Sequence, residues 1–226
     1  MTRATLDRNI ETLQNNLLVL ENMVKEAILN SVDSLMNRDL DAARSVYLGD
    51  RQINKRRFDI ELDSLITIAT QQPIASDLRV LASIIEIAGE LERMGDYAKG
   101  IARVNMMLGS NPLPKAAKDL PKMAELVVSM LEQSVQALIK KDSAAARAIP
   151  DQDDEVDQLF NQVYSRLVQA MIANPDTIDQ ANHLQWAAHN LERMADRVTN
   201  ICERAVFVAD GEIIELDRTD DEWKPS

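Results

Sequence analysis

Glu92 and Asp96 stand four residues apart in this chain, and so do Glu192 and Asp196. Residues at that spacing lie one turn apart on one face of a helix, so each pair would present two carboxylates together. Asp153 with Asp157 gives a third such pair, and Asp50 with Asn54 a mixed carboxylate–amide pair. Oxygen donors paired in this way suit hard or borderline cations such as Mg, Mn, Fe or Zn. His189, three before Glu192, reads first as a partly exposed helix histidine and second as a further ligand on the same face.

Spacing alone carries no weight here. The 226 residues include 37 acids, so roughly six such pairs arise by chance under helical-neighbour geometry. Asp7/Glu11, Asp59/Asp63, Glu86/Glu90, Asp151/Glu155 and Asp217/Asp221 share the spacing. What separates 92/96 and 192/196 from these is a duplication. Leu91-Glu92-Arg93-Met94-Gly95-Asp96 repeats as Leu191-Glu192-Arg193-Met194-Ala195-Asp196 with five of six residues identical. More weakly, Asp50-x-x-Ile53-Asn54 aligns with Asp153-x-x-Val156-Asp157. Like charges one turn apart cost a helix a few tenths of a kcal/mol, which a cation or paired arginines would offset. Arg93 and Arg193 point about 100° away from the glutamates they follow. They are expected to reach acids on a neighbouring helix or a partner.

Helices must position these groups. Chain breakers are few, with six Gly and seven Pro, and aromatics are only 4%. Asp39 and Asp142 read as N-caps after short turns. Pro73 and Pro175 mark the next breaks, and Gly109–Pro114 is the clearest linker. Six helices are predicted, over 6–37, 39–71, 74–108, 118–140, 142–173 and 176–209. Short loops make neighbours antiparallel, so the expected fold is all-α, two tandem three-helix bundles related by a pseudo-twofold repeat. The repeats would span 1–110 and 111–210, with an acidic tail over 211–226 expected to be disordered.

The third helix carries an apolar stripe of Ile84, Ala88, Leu91, Gly95, Ala98 and Ala102, and the sixth carries Leu184, Ala188, Leu191, Ala195, Val198 and Cys202 in the same register. The second contributes Ile53, Ile60 and Leu65, and the fifth Val156, Val163 and Val168. Cys202 reads as a buried structural thiol, and Trp186 as packing more than an interface anchor.

A net charge of −12 repels phosphate backbones and argues against nucleic-acid binding. One cysteine allows no internal disulfide. The first residues have no apolar signal-peptide core, and no stretch is long and apolar enough to span a membrane, so a cytoplasmic protein is expected.

The paired 92–96 and 192–196 segments, Asp77-Leu78-Arg79 opening the third helix, and the two-repeat, six-helix plan resemble the PhoU family of phosphate-signalling regulators over essentially the whole chain. The resemblance implies a cytoplasmic negative regulator of the phosphate-starvation response. It would link the ATPase subunit of the high-affinity phosphate ABC importer to a sensor histidine kinase. It also implies metal clusters on the acidic motifs, here Glu92, Asp96, Glu192 and Asp196, with Asp153 and Asp157 as a third pair. The fourth departs from the pattern, since Asn54 stands where an acid would be expected beside Asp50. The second repeat is therefore the first place to look for metal. The likeness and the long helices together favour a homodimer.

Two other readings compete with a metal-binding regulatory scaffold. One is a carboxylate-bridged dimetal enzyme, the other a helical adaptor without metal. A ferritin-like site would need Glu-x-x-His on each of two helices, and here the order is reversed and occurs once. A regulator is thus expected rather than an enzyme.

Overall fold

The computed structural model describes residues 3–109 and 112–216, and the regular elements in them are all helical. Among these residues seven α-helices follow one another: α1 (Arg3–Asn37), α2 (Leu40–Gln71), α3 (Ser76–Leu108), α4 (Leu120–Lys140), α5 (Ser143–Ala148), α6 (Asp153–Ala173) and α7 (Ile178–Asp210). Short 3₁₀ turns at Lys115–Asp119, Pro150–Gln152 and Pro175–Thr177 join the later ones.

The turn that opens the second helix of each half is built twice from the same parts. Arg38 and Lys141 adopt left-handed backbone conformations at φ 56° and 54°. The next N–H reaches back to close the preceding helix, Asp39 to Ser34 and Asp142 to Ala137, each at 2.9 Å. Asp39 then caps α2 by accepting the N–H groups of Asp41 and Ala42, and Asp142 caps α5 by accepting that of Ala145.

The helix expected over 142–173 is not continuous. Pro150 has no N–H to offer the carbonyl four residues back, and its ring crowds that carbonyl. α5 stops at Ala148, and α6 restarts at Asp153. Asp153 therefore lies in the first turn of a helix with Asp154 and Glu155, where the helix dipole stabilises negative charge without any metal.

Packing runs α2–α3–α7–α6, with α1 against α2 and α3, and α4 against α7 and α1. One apolar core extends through both halves. The stripes expected on α3 and α7 are fully inside it. On α2, Ile53 and Ile60 are buried, but Leu65 is half-exposed and joins Phe58, Leu62 and Ile66 on the outer surface. On α6, Val156 and Val163 are buried and Val168 only partly. Gly95 sits where a Cβ would lie 3.1 Å from two atoms of Ile53, so its missing side chain lets α2 approach α3 closely.

At the α3–α7 seam, Glu90 receives Arg197 at 3.4 Å and Asn200 at 3.1 Å, and Glu86 pairs with Arg204 at 3.0 Å. The arginines that pair with acids across this seam are thus not those next to the motif glutamates. Arg93 pairs at 3.5 Å with Glu90 of its own helix, and Arg193 lies over the Tyr97 ring. Beyond α7, Ile214 and Leu216 pack on the core, and the Leu216 N–H donates to Glu203. The rest of the acidic tail, 217–226, and linker residues Ser110 and Asn111 lie outside the described residues.

Candidate functional site

In the first half the motif residues meet across the α2–α3 contact. Asp50 is 3% exposed and faces α3. The Lys99 ammonium donates to Asp50 Oδ2 at 2.6 Å, and the Asn54 amide donates to the same oxygen at 3.1 Å. Lys99 also lies 3.5 Å from Asp96 Oδ1 and 5.7 Å from the Tyr47 ring centroid. The other Asp50 oxygen is buried with no hydrogen-bond partner. Glu92 stands one turn before Asp96 in the same field. Burial first, then Asp96, hold its carboxyl above the ordinary glutamate range, and Arg57 opposes them. The hydrogen bond to Asp50 holds the Lys99 ammonium above its usual range.

In the second half, α6 and α7 are antiparallel across the turn at Pro175–Thr177. The rings of Phe160 and His189 lie 6.0 Å apart. For antiparallel helices in register at that contact, ideal geometry sets Asp157 level with Glu192 one turn away and Asp153 level with Asp196 a turn further. His189 Nδ1 lies 3.1 Å from Glu192 Oε2, so these two share a face as their spacing suggests. Thr199, buried at 6%, occupies the place that Lys99 holds in the first half.

The structure thus sets every motif residue on a helix, Asp153 and Asp157 on the shorter α6, and packs α2 with α3 and α6 with α7. Among the described residues, however, no three His, Cys, Asp or Glu side chains are close enough together to hold a metal ion. The donor sets of the halves also differ in kind. Four carboxylates and an imidazole in the second half fit Fe, Mn or Zn by chemistry. Three carboxylates, an amide and a lysine ammonium already hydrogen-bonded to one of them do not fit. Sequence reasoning missed Lys99. Its place three residues after Asp96, with threonine at the matching place in the repeat, was the available signal.

Cys202 is fully buried, and desolvation pushes its thiol up to about 12. Trp186 is 44% exposed rather than packed away. With Arg103, Met107, Asn182 and His183 it lines a groove of about 370 Å³ where the C-terminal part of α3 meets the start of α7. Gly100 makes room there, since a Cβ would come within 2.7 Å of the buried Asn190 amide and 3.5 Å of Trp186.

The PhoU domain model matches residues 17–104 and 120–205, one segment in each half. The chain belongs to the PhoU family. A phosphate-specific transport system accessory protein PhoU homolog of Aquifex aeolicus is 33% identical over 209 residues, which are 92% of this chain and 95% of that protein. The homolog of the same name from Rhizobium meliloti is 31% identical over 92% of this chain and 88% of its own length. The crystal structure of the phosphate transport system regulatory protein PhoU from Streptococcus pneumoniae superposes with a TM-score of 0.85 at 29% identity, covering 92% of this chain and 99% of that one. PhoU from Pseudomonas aeruginosa gives 0.86 at 28% identity, covering 91% and 99%. The PhoU fold is thus shared over nearly the whole length, and these relatives carry the names of accessory and regulatory proteins rather than enzymes.

Proposed function

We propose that this chain is a cytoplasmic negative regulator of the phosphate-starvation response. It couples the ATPase subunit of a phosphate ABC importer to a sensor histidine kinase and so restrains phosphate uptake and signalling. The observation that carries this reading is the alignment of phosphate transport accessory proteins with 92% of the chain. The surface supports it. Phe58, Leu62, Leu65 and Ile66 stand exposed on α2, and Tyr164 and Ile172 on α6. Apolar side chains grouped in this way on a helix suit protein contact. No helix among the described residues is long and apolar enough to cross a membrane.

Within this reading the second half is a metal-binding element of the scaffold. Asp153, Asp157, Glu192 and Asp196, with His189, would hold Fe, Mn or Zn once their side chains rotate toward one another. A bound ion would supply fixed positive charge on an acidic surface and lock α6 to α7. The chain acts as a homodimer, and its partners are proteins rather than nucleic acid. The test is direct binding of the purified chain to the importer's ATPase subunit and to the kinase's cytoplasmic domain. Micromolar or tighter binding to both supports the reading. No binding to either contradicts it.

A further inference from the structure

The structure assigns Lys99 as the resident cation of the first-half site, so the motif of Asp50, Asn54, Glu92 and Asp96 is closed to metal by the chain's own ammonium. For the second half this builds on the proposed metal binding; for the first half it stands on the contacts alone.

Three observations carry it. First, Lys99 Nζ lies 2.6 Å from Asp50 and 3.5 Å from Asp96, between the acids of two helices that an ion would have to bridge. Second, Asp50 Oδ2 already accepts two donors, Lys99 and the Asn54 amide. A metal bound at that oxygen would displace both, and Lys99 would abandon a carboxylate that is 3% exposed. Leaving a buried charge without its partner is costly. Third, the two halves differ at these same places. The first half has three acids and one lysine, a formal charge of −2; the second has four acids with Thr199 in place of the lysine, −4. Less negative charge weakens the attraction for a divalent ion at every distance. One half of the duplicated scaffold is thereby stapled permanently, and any metal response belongs to the other.

The test uses the full-length chain stripped of metal with a chelator, titrated with Mn²⁺ by calorimetry and followed by elemental analysis. Asp153→Asn with Asp196→Asn removes second-half donors. In that background the native first half should bind no Mn²⁺, and adding Asn54→Asp with Lys99→Thr should create a site at least roughly tenfold tighter than any residual binding. Circular dichroism reports whether the helices persist. Asn54→Asp alone keeps the lysine and should stay silent, so the assignment remains exposed even if the threonine variant fails to fold. Mn²⁺ binding by that single variant in the same background would overturn it. Mn²⁺ binding by the native first half, or a folded opened site that gains nothing, would also overturn it. If the wild-type chain binds no Mn²⁺ while the opened first half does, the assignment of Lys99 stands and the second-half metal reading falls.

Discussion

Lys99 of α3 reaches across to Asp50 of α2 at 2.6 Å, and in the repeat Thr199 occupies the corresponding place. The first-half carboxylates thus have a lysine of the same chain among them, and the repeat has threonine at that position. The caps and the apolar stripes repeat, while the charges at the motif do not.

Lys99→Met should destabilise the fold by about 2–3 kcal/mol, because it leaves Asp50 buried without a counter-charge. Asp50→Asn made together with Lys99→Met should recover much of that loss. Urea denaturation of the single and double variants measures the coupling. Additive effects would show that the pair contributes nothing jointly.

Glu21 gives the protein a pH dependence of its own. It is 5% exposed on α1, and desolvation raises its pKa to about 7, with Lys25 opposing and Glu132 adding to the shift. The folded protein keeps a proton there that the unfolded chain has released above about pH 4.5. Stability from this group therefore falls as pH rises from about 4.5 to 7, by on the order of 3 kcal/mol. Glu21→Gln should flatten that part of the stability profile and be the more stable protein at pH 8.

Two glycines in helices should respond in opposite directions. A Cβ at Gly49 would meet nothing within 4 Å, so Gly49→Ala should stabilise by about 0.5–1 kcal/mol through helix propensity. A Cβ at Gly95 would press on Ile53, a stiff branched side chain that is itself buried. Gly95→Ala should cost about 1 kcal/mol net. Thermal melts of the two variants check the contrast.

Cys202 should ignore thiol reagents in the native protein, since burial keeps its thiolate scarce. Labelling should appear only with global unfolding and follow the denaturation curve. Rapid labelling under native conditions would mean that α7 opens locally around it.

Much of the fold was legible because the signals were local. Asp39 and Asp142 announced their caps, and the 4–3 spacing of apolar residues on α3 and α7 marked the core correctly. The break at Pro150 had a local signal too, a proline inside a helical stretch, and the helix expected over 142–173 ran through it. Leu65 was misplaced because α2 carries apolar residues on two faces, and periodicity cannot say which one is inside. The site was harder to read. Sequence spacing placed Glu92 beside Asp96, but which cation answers them depends on side chains reaching between helices. Lys99 is 49 residues from Asp50 along the chain. Trp186 likewise owes its exposure to the way α3 and α7 meet.

Regulation of the phosphate response by this chain can be read with a reporter for a phosphate-starvation promoter. The measurement is made at high phosphate in a strain lacking this gene, with and without the chain restored. Expression should be high in the deletion strain and should return to the repressed level when the wild-type chain is supplied. Repression that is intact without the gene, or expression that stays high when the chain is restored, would contradict it.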